Sequence, residues 1–223
     1  MSQKEINRWL IVPHALLIQI SLGSLYVYSF YKPFLAERFP DWNSVDLALP
    51  SQLVMVFFTI GILVSGRLQD KYNPKLLSML GGILLGSGLI ISSFAPNLTI
   101  FVTGFGIIGG LGIGTTYVCP VATVIKWFPD KPGLINGISV AGFGAGALIF
   151  TPVARVLITH FGIMHTFLLL GFIYMVFILF GSRKIISPPE NYKPEGWIPT
   201  AEINVNHGID FSSKEMLRTS QFK

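Results

Sequence analysis

The chain has 223 residues, of which 51% are apolar and 12% charged, with a formal net charge of +5. Soluble domains carry roughly 25% charged residues, so this composition excludes an ordinary soluble enzyme and points to an integral, all-α membrane protein. The single cysteine, Cys119, excludes a disulfide framework or a cysteine metal cluster, and no nucleic-acid partner is implied because the cations sort by membrane side.

Six apolar stretches have the length of membrane spans, which take roughly 20 helical residues. They lie at about Trp9–Phe30, Leu47–Ser65, Leu76–Phe94, Leu98–Ile125, Leu134–Leu157 and His165–Phe180. This divides the chain into a tail over 1–8, a six-helix bundle over 9–181 and a linker over 182–223. The first span follows Lys4, Glu5 and Arg8, is longer than a signal-peptide core and lacks a small-residue cleavage site. It is therefore expected to remain as an anchor. Its last residues, Gly23-Ser-Leu-Tyr-Val-Tyr-Ser-Phe30, place small and aromatic polar side chains inside a helix, and the stretch 31–46, with Glu37, Asp41 and Asp46, is expected to be an outer loop.

Between the second and third spans stands the charged turn Gly66-Arg-Leu-Gln-Asp-Lys-Tyr-Asn-Pro-Lys75. So short a connection makes the flanking helices antiparallel neighbours. Gly66 is expected to allow close backbone approach, Asp70 to cap or face a helix end, and Asn73 to take a left-handed conformation. With the N-terminus inside, the cytoplasmic segments hold Lys4, Arg8, Arg67, Lys71, Lys75, Lys126, Lys131 and the tail cations, against only Lys32, Arg38 and Arg155 outside. That bias predicts both termini on the cytoplasmic side of a plasma (inner) membrane.

The turn is similar to the signature loop between the second and third helices of the major facilitator superfamily, G-x-x-x-D-[RK]-x-G-x-[RK]. Gly66, Asp70, Lys71 and Lys75 match it, and Asn73 replaces the second glycine.

The third and fourth spans are rich in glycine, which lets membrane helices pack closely. Gly104-Phe-Gly-Ile-Ile-Gly109 happens to spell G-x-G-x-x-G. A dinucleotide site needs a preceding strand in a soluble unit, so packing is the reading here. Asn97-Leu-Thr99 is a formal glycosylation sequon too close to the membrane to count.

The next loop, Lys126-Trp-Phe-Pro-Asp-Lys-Pro-Gly133, sets Trp127 and Phe128 at interfacial depth and Asp130 where it would cap the following helix. With Pro129, Lys131 and Gly133, and with Gly137-Ile-Ser-Val-Ala-Gly-Phe-Gly-Ala-Gly146 after it, this stretch resembles the oxalate–formate antiporter family within the superfamily. Pro132 stands where that family usually has arginine. Beyond the last span come a proline-rich linker, 187–196, and an amphipathic stretch, 210–222, resembling the segment before the family's seventh helix. The resemblance thus covers nearly all of this chain and the first half of the family's.

All eleven acidic residues fall outside the spans. A carboxylate inside the membrane is the usual proton or cation relay; without one, these spans suit an anionic substrate. Arg155, near the outer end of the fifth span, reads as a snorkelling side chain or as an anion attractor. The resemblance implies that the first, fourth and fifth helices surround a central anion site. By motif position Tyr26 and Tyr117 match such places, with Tyr28 and Gln52 as further donors. Phe143 stands where oxalate carriers often have tyrosine. Each tyrosine also has a plain packing reading. His14, His160 and His165 do not converge, and no hydrolase set, zinc motif or Walker loop is present.

The expectation is therefore the N-terminal six-helix half, a 3+3 inverted repeat, of a carrier for oxalate, formate or monocarboxylates. It would need no cofactor and would be partnered in the bilayer by a second six-helix half, with the loops at 66–75 and 126–133 as gates. The alternative is a non-transporting fragment or accessory subunit of a split carrier.

Overall fold

The computed structural model describes residues 8–69, 71–189 and 192–194. The chain divides into two units, Met1–Tyr192 and Lys193–Lys223, and the helices among the described residues belong to the first. Asp70, most of the tail before Trp9 and the 210–222 stretch lie outside the described residues.

Among the described residues, five helices are long and apolar enough to cross a membrane: α1 (Arg8–Arg38), α2 (Ser44–Leu68), α3 (Pro74–Ser93), α4 (Leu98–Trp127) and α5 (Pro132–Ser182). No strand occurs among the described residues. The stretches expected as fifth and sixth spans both fall on the 51 residues of α5, whose backbone leaves helical geometry at Gly162 (φ 77°, ψ 167°). That is a left-handed value that glycine alone adopts cheaply, so α5 is two helices, 132–161 and 163–182, joined at one residue.

Local chemistry explains most starts. Asn43 caps α2 and forms a capping box with Asp46. Asn73 and Asn97 cap α3 and α4, each accepting a backbone N–H. Asn73 is therefore extended (φ −61°, ψ 126°) rather than left-handed, with Pro74 at the first helical position. The sequon asparagine likewise has a structural task.

Two other expectations change. Helix α1 continues to Arg38, so Lys32 and Glu37 are helical and the connection to α2 shrinks to 39–43, where Phe39 stacks on Trp42 at 4.1 Å. Gly66 meets nothing within 4 Å of where a Cβ would stand; it is an open position on α2, not a close crossing.

In the bundle, α3 packs against both α4 and α5, α1 against α5, and α2 against α4. Two departures from α geometry shape the interior. Gly23–Val27 within α1 is a 3-10 turn, and Val102–Gly109 within α4 is π-helical. The core is apolar and aromatic, built on Phe101, Phe105, Phe167, Leu170 and Ile178. Helix α2 is the least covered: only Pro50, Val54, Gly61 and Ser65 are buried, while Met55, Val56, Ile60, Leu63 and Val64 are exposed.

Candidate functional site

The two tyrosines of α1 point to different sides. Positions two apart lie about 200° apart around an α-helix and about 240° around a 3-10 turn, so either geometry separates them. Tyr26 is 51% exposed, whereas Tyr28 is buried and its hydroxyl donates to the Leu47 carbonyl at 2.9 Å. Tyr28 packs its ring on Phe105 at 4.9 Å, on the core side of the helix.

Tyr26 faces α5. Its ring meets Phe143 edge-on at 5.4 Å, and Phe143 meets Tyr117 at 5.1 Å. Phe58 of α2 completes the group, 5.6 Å from Tyr117 and 6.4 Å from Phe143. Edge-to-face rings at these separations hold one another in orientation. Four helices thus supply one aromatic cluster, with the Tyr26 side open. Neither the Tyr26 nor the Tyr117 hydroxyl forms a hydrogen bond among the described residues, so both remain as donors for a ligand.

Close backbone contact fixes this geometry. A Cβ on Gly23 would strike the Phe143 carbonyl, and one on Gly146 would stand 2.6 Å from the Gly23 Cα. Glycine at both positions lets α1 and α5 touch beneath the cluster. Gln19, fully buried one helical turn below, donates toward the Tyr117 carbonyl at 3.5 Å, while its side-chain oxygen has no partner.

Tyr26, Tyr117 and Phe143 therefore come together, whereas Tyr28 lies in the core and Gln52 is exposed on α2. Phe58 was not singled out by sequence, and Gln19, though among the polar residues inside the spans, was not carried into the expected site. Phe58 sits in an unbroken apolar run that offers no signal, and becomes visible only because Gly114 seats α4 against its backbone. Gln19 did carry a signal, as a lone amide in an apolar helix.

A second constellation lies at the end of the bundle where α1 begins. Arg8 donates to both carboxylate oxygens of Asp130, at 2.6 and 3.0 Å, and to the Trp127 carbonyl at 3.3 Å. Its guanidinium lies 4.5 Å above the Phe128 ring. Asp130 is thus an ion-pair partner rather than a helix cap; the residue before α5 is Lys131, which makes no side-chain cap. Arg8 holds the Asp130 carboxyl below the usual carboxylate range. Lys131 lies over Trp9, and the Trp127 indole donates to the Ile186 carbonyl at 2.7 Å. Trp127 and Phe128 are buried; Pro129 is half-buried and Gly133 exposed. In the other expected gate, Lys71 and Asn73 are exposed and Lys75 half-buried.

Comparison with known proteins agrees with this architecture. Residues 14–217 match the family described as Major Facilitator Superfamily. The chain is 27% identical to the uncharacterized MFS-type transporter YhjX of Escherichia coli, over 99% of this chain and 53% of that protein. It is 28% identical to the oxalate:formate antiporter of Oxalobacter formigenes, over 97% of this chain and 50% of that one. Human monocarboxylate transporter 12 is 35% identical over 53% of this chain and 22% of its own length. The chain spans about half the length of the first two relatives.

Proposed function

This chain belongs to the major facilitator superfamily, and from that premise we propose that it is one half of a secondary carrier exchanging small organic anions such as oxalate, formate or monocarboxylates. The six crossings form a 3+3 inverted repeat, with 132–161 and 163–182 as the fifth and sixth, and both termini are cytoplasmic. The observation that carries the reading is the open cluster of Tyr26, Tyr117, Phe143 and Phe58. Two phenol hydroxyls without partners can donate to a carboxylate, and the rings keep water away from that contact, where such bonds are worth more.

The cluster has no wall on the Tyr26 side. A second six-helix half closes it, whether continued on the same polypeptide, supplied by another chain or by a second copy. Substrate then sits at the midplane between the halves, which rock against each other, with the loops at 66–75 and 126–133 as cytoplasmic gates. The test is counterflow in proteoliposomes holding this chain together with its second half. Labelled oxalate or formate uptake that requires unlabelled anion inside supports the proposal. Uptake indifferent to the internal anion, and to Tyr26→Phe with Tyr117→Phe, rules it out.

A further inference from the structure

The bundle interior contains a cavity beside the 3-10 turn, lined by Ser24 and Leu25 of that turn but not by Tyr26. Its walls include Ser24, Tyr31, Tyr174 and Phe105, with Val54 and Leu85 among the apolar ones. Measured as the space open to the centre of a water molecule, it holds about 20 Å³. One water needs roughly 10–15 Å³ on that measure, so there is room for one.

Its polarity is unusual for its depth. Tyr174 is 1% exposed, and its hydroxyl has no hydrogen-bond partner among the described residues. Tyr31 and Ser24 are its polar neighbours, both buried. Buried hydroxyls in proteins are almost always paired, and an orphan next to a void that fits a water marks a water site. Purely apolar cavities stay dry, whereas three hydroxyls supply the two to four polar contacts a buried water makes.

The fold also explains why the space exists. Ser24 belongs to the 3-10 turn of α1 and Phe105 to the π segment of α4. Two helices with non-α periods border the same cavity.

We propose that this cavity is a binding site for a single ordered water, held by Tyr174, Tyr31 and Ser24. The water completes the hydrogen bonding of the Tyr174 hydroxyl and fills the space between the 3-10 turn and the π segment. None of the four rings of the Tyr26 cluster lines it, so the site does not rest on the substrate reading.

X-ray hydroxyl-radical footprinting of the purified full chain, in water enriched in oxygen-18, tests this directly, because a bound water is radiolysed in place. Tyr31 and Tyr174 are expected to take up label several-fold faster than Phe167. That ring is fully buried and 5.0 Å from Tyr31, and it does not border the cavity. In Tyr174→Phe, and separately in Ser24→Ala, labelling of Tyr31 falls toward the Phe167 rate. Wild-type Tyr31 and Tyr174 labelling no faster than Phe167 would mean a dry cavity and overturn the proposal, even if a variant fails to fold. Unchanged Tyr31 labelling in both folded variants would overturn the assignment of its ligands.

Discussion

Arg8 and Asp130, 122 residues apart in sequence, are joined by a two-pronged ion pair at 2.6 and 3.0 Å. The pair fastens the start of α1 to the loop between α4 and α5, and the Trp127 indole fastens that loop to Ile186. Three separate stretches of chain are thereby held together at one end of the bundle. Exposed ion pairs are worth about 1 kcal/mol or less, with bidentate geometry at the upper end. Asp130→Asn is expected to lower the melting temperature by roughly 2–4 °C, the shift that about 1 kcal/mol makes in a chain of this size. A double-mutant cycle of Arg8→Ala with Asp130→Ala, followed by thermal unfolding, should show coupling; strictly additive losses would mean the pair contributes nothing.

The same pair predicts a pH dependence. The Asp130 carboxyl titrates below its ordinary range because Arg8 favours its charged form. A depressed folded-state value gives stability that is complete above the unfolded value, about 3.9, and is lost as pH falls through the folded one. Between neutral pH and about 5 the contribution should be flat, and it should decline below about 4. Melting curves of wild type and Asp130→Asn, compared across that range, should converge on the acid side. Curves that stay parallel would exclude Asp130 as the source.

Glycines at two kinds of position should respond in opposite ways. Gly23→Ala or Gly146→Ala puts a methyl group into facing backbone. Neither backbone can move far, so a loss of about 1–3 kcal/mol or more is expected, along with displacement of Tyr26. Gly66→Ala meets open space and gains helix propensity of up to about 1 kcal/mol. Its folded yield and melting temperature should be unchanged or higher. If Gly66→Ala nonetheless abolished exchange in the assembled carrier, its role would lie against the second half, as the gate reading requires.

The approximate position of the apolar stretches was legible in the sequence because hydropathy over some 20 residues is a strong signal. The family was legible because Gly66-Arg-Leu-Gln-Asp-Lys and Trp127-Phe-Pro-Asp-Lys are short, fixed-spacing patterns. What failed was local. Asp130 stands where a cap belongs, but its partner Arg8 comes from the other end of the chain, and nothing in the spacing announces that. Asn73 has two backbone habits, left-handed and N-cap, and the proline after it selects the second. The extension of α1 to Arg38 was hidden because a helix can run past the bilayer once its residues turn polar. The 3-10 turn at Gly23–Val27 left no signature at all; the separation of Tyr26 from Tyr28, by contrast, follows from helical periodicity alone.

That separation supplies the sharpest functional prediction. Tyr26 and Tyr28 differ by two positions and are chemically identical, yet they stand on different sides of α1. The Tyr26 hydroxyl is open and without a partner among the described residues, whereas the Tyr28 hydroxyl is bonded to the Leu47 carbonyl at 2.9 Å. Removing a hydrogen bond to a charged ligand costs about 1.5–3 kcal/mol, roughly a 10- to 100-fold rise in half-saturating anion concentration. Tyr26→Phe, and likewise Tyr117→Phe, should show that rise in counterflow with little change in melting temperature. Tyr28→Phe should do the reverse: the Leu47 carbonyl loses its donor and stability falls by about 1 kcal/mol, while anion affinity stays near wild type. If Tyr28→Phe weakened anion binding as much as Tyr26→Phe, α1 would not divide the two tyrosines as described here. The substrate would then have to reach the core side of α1.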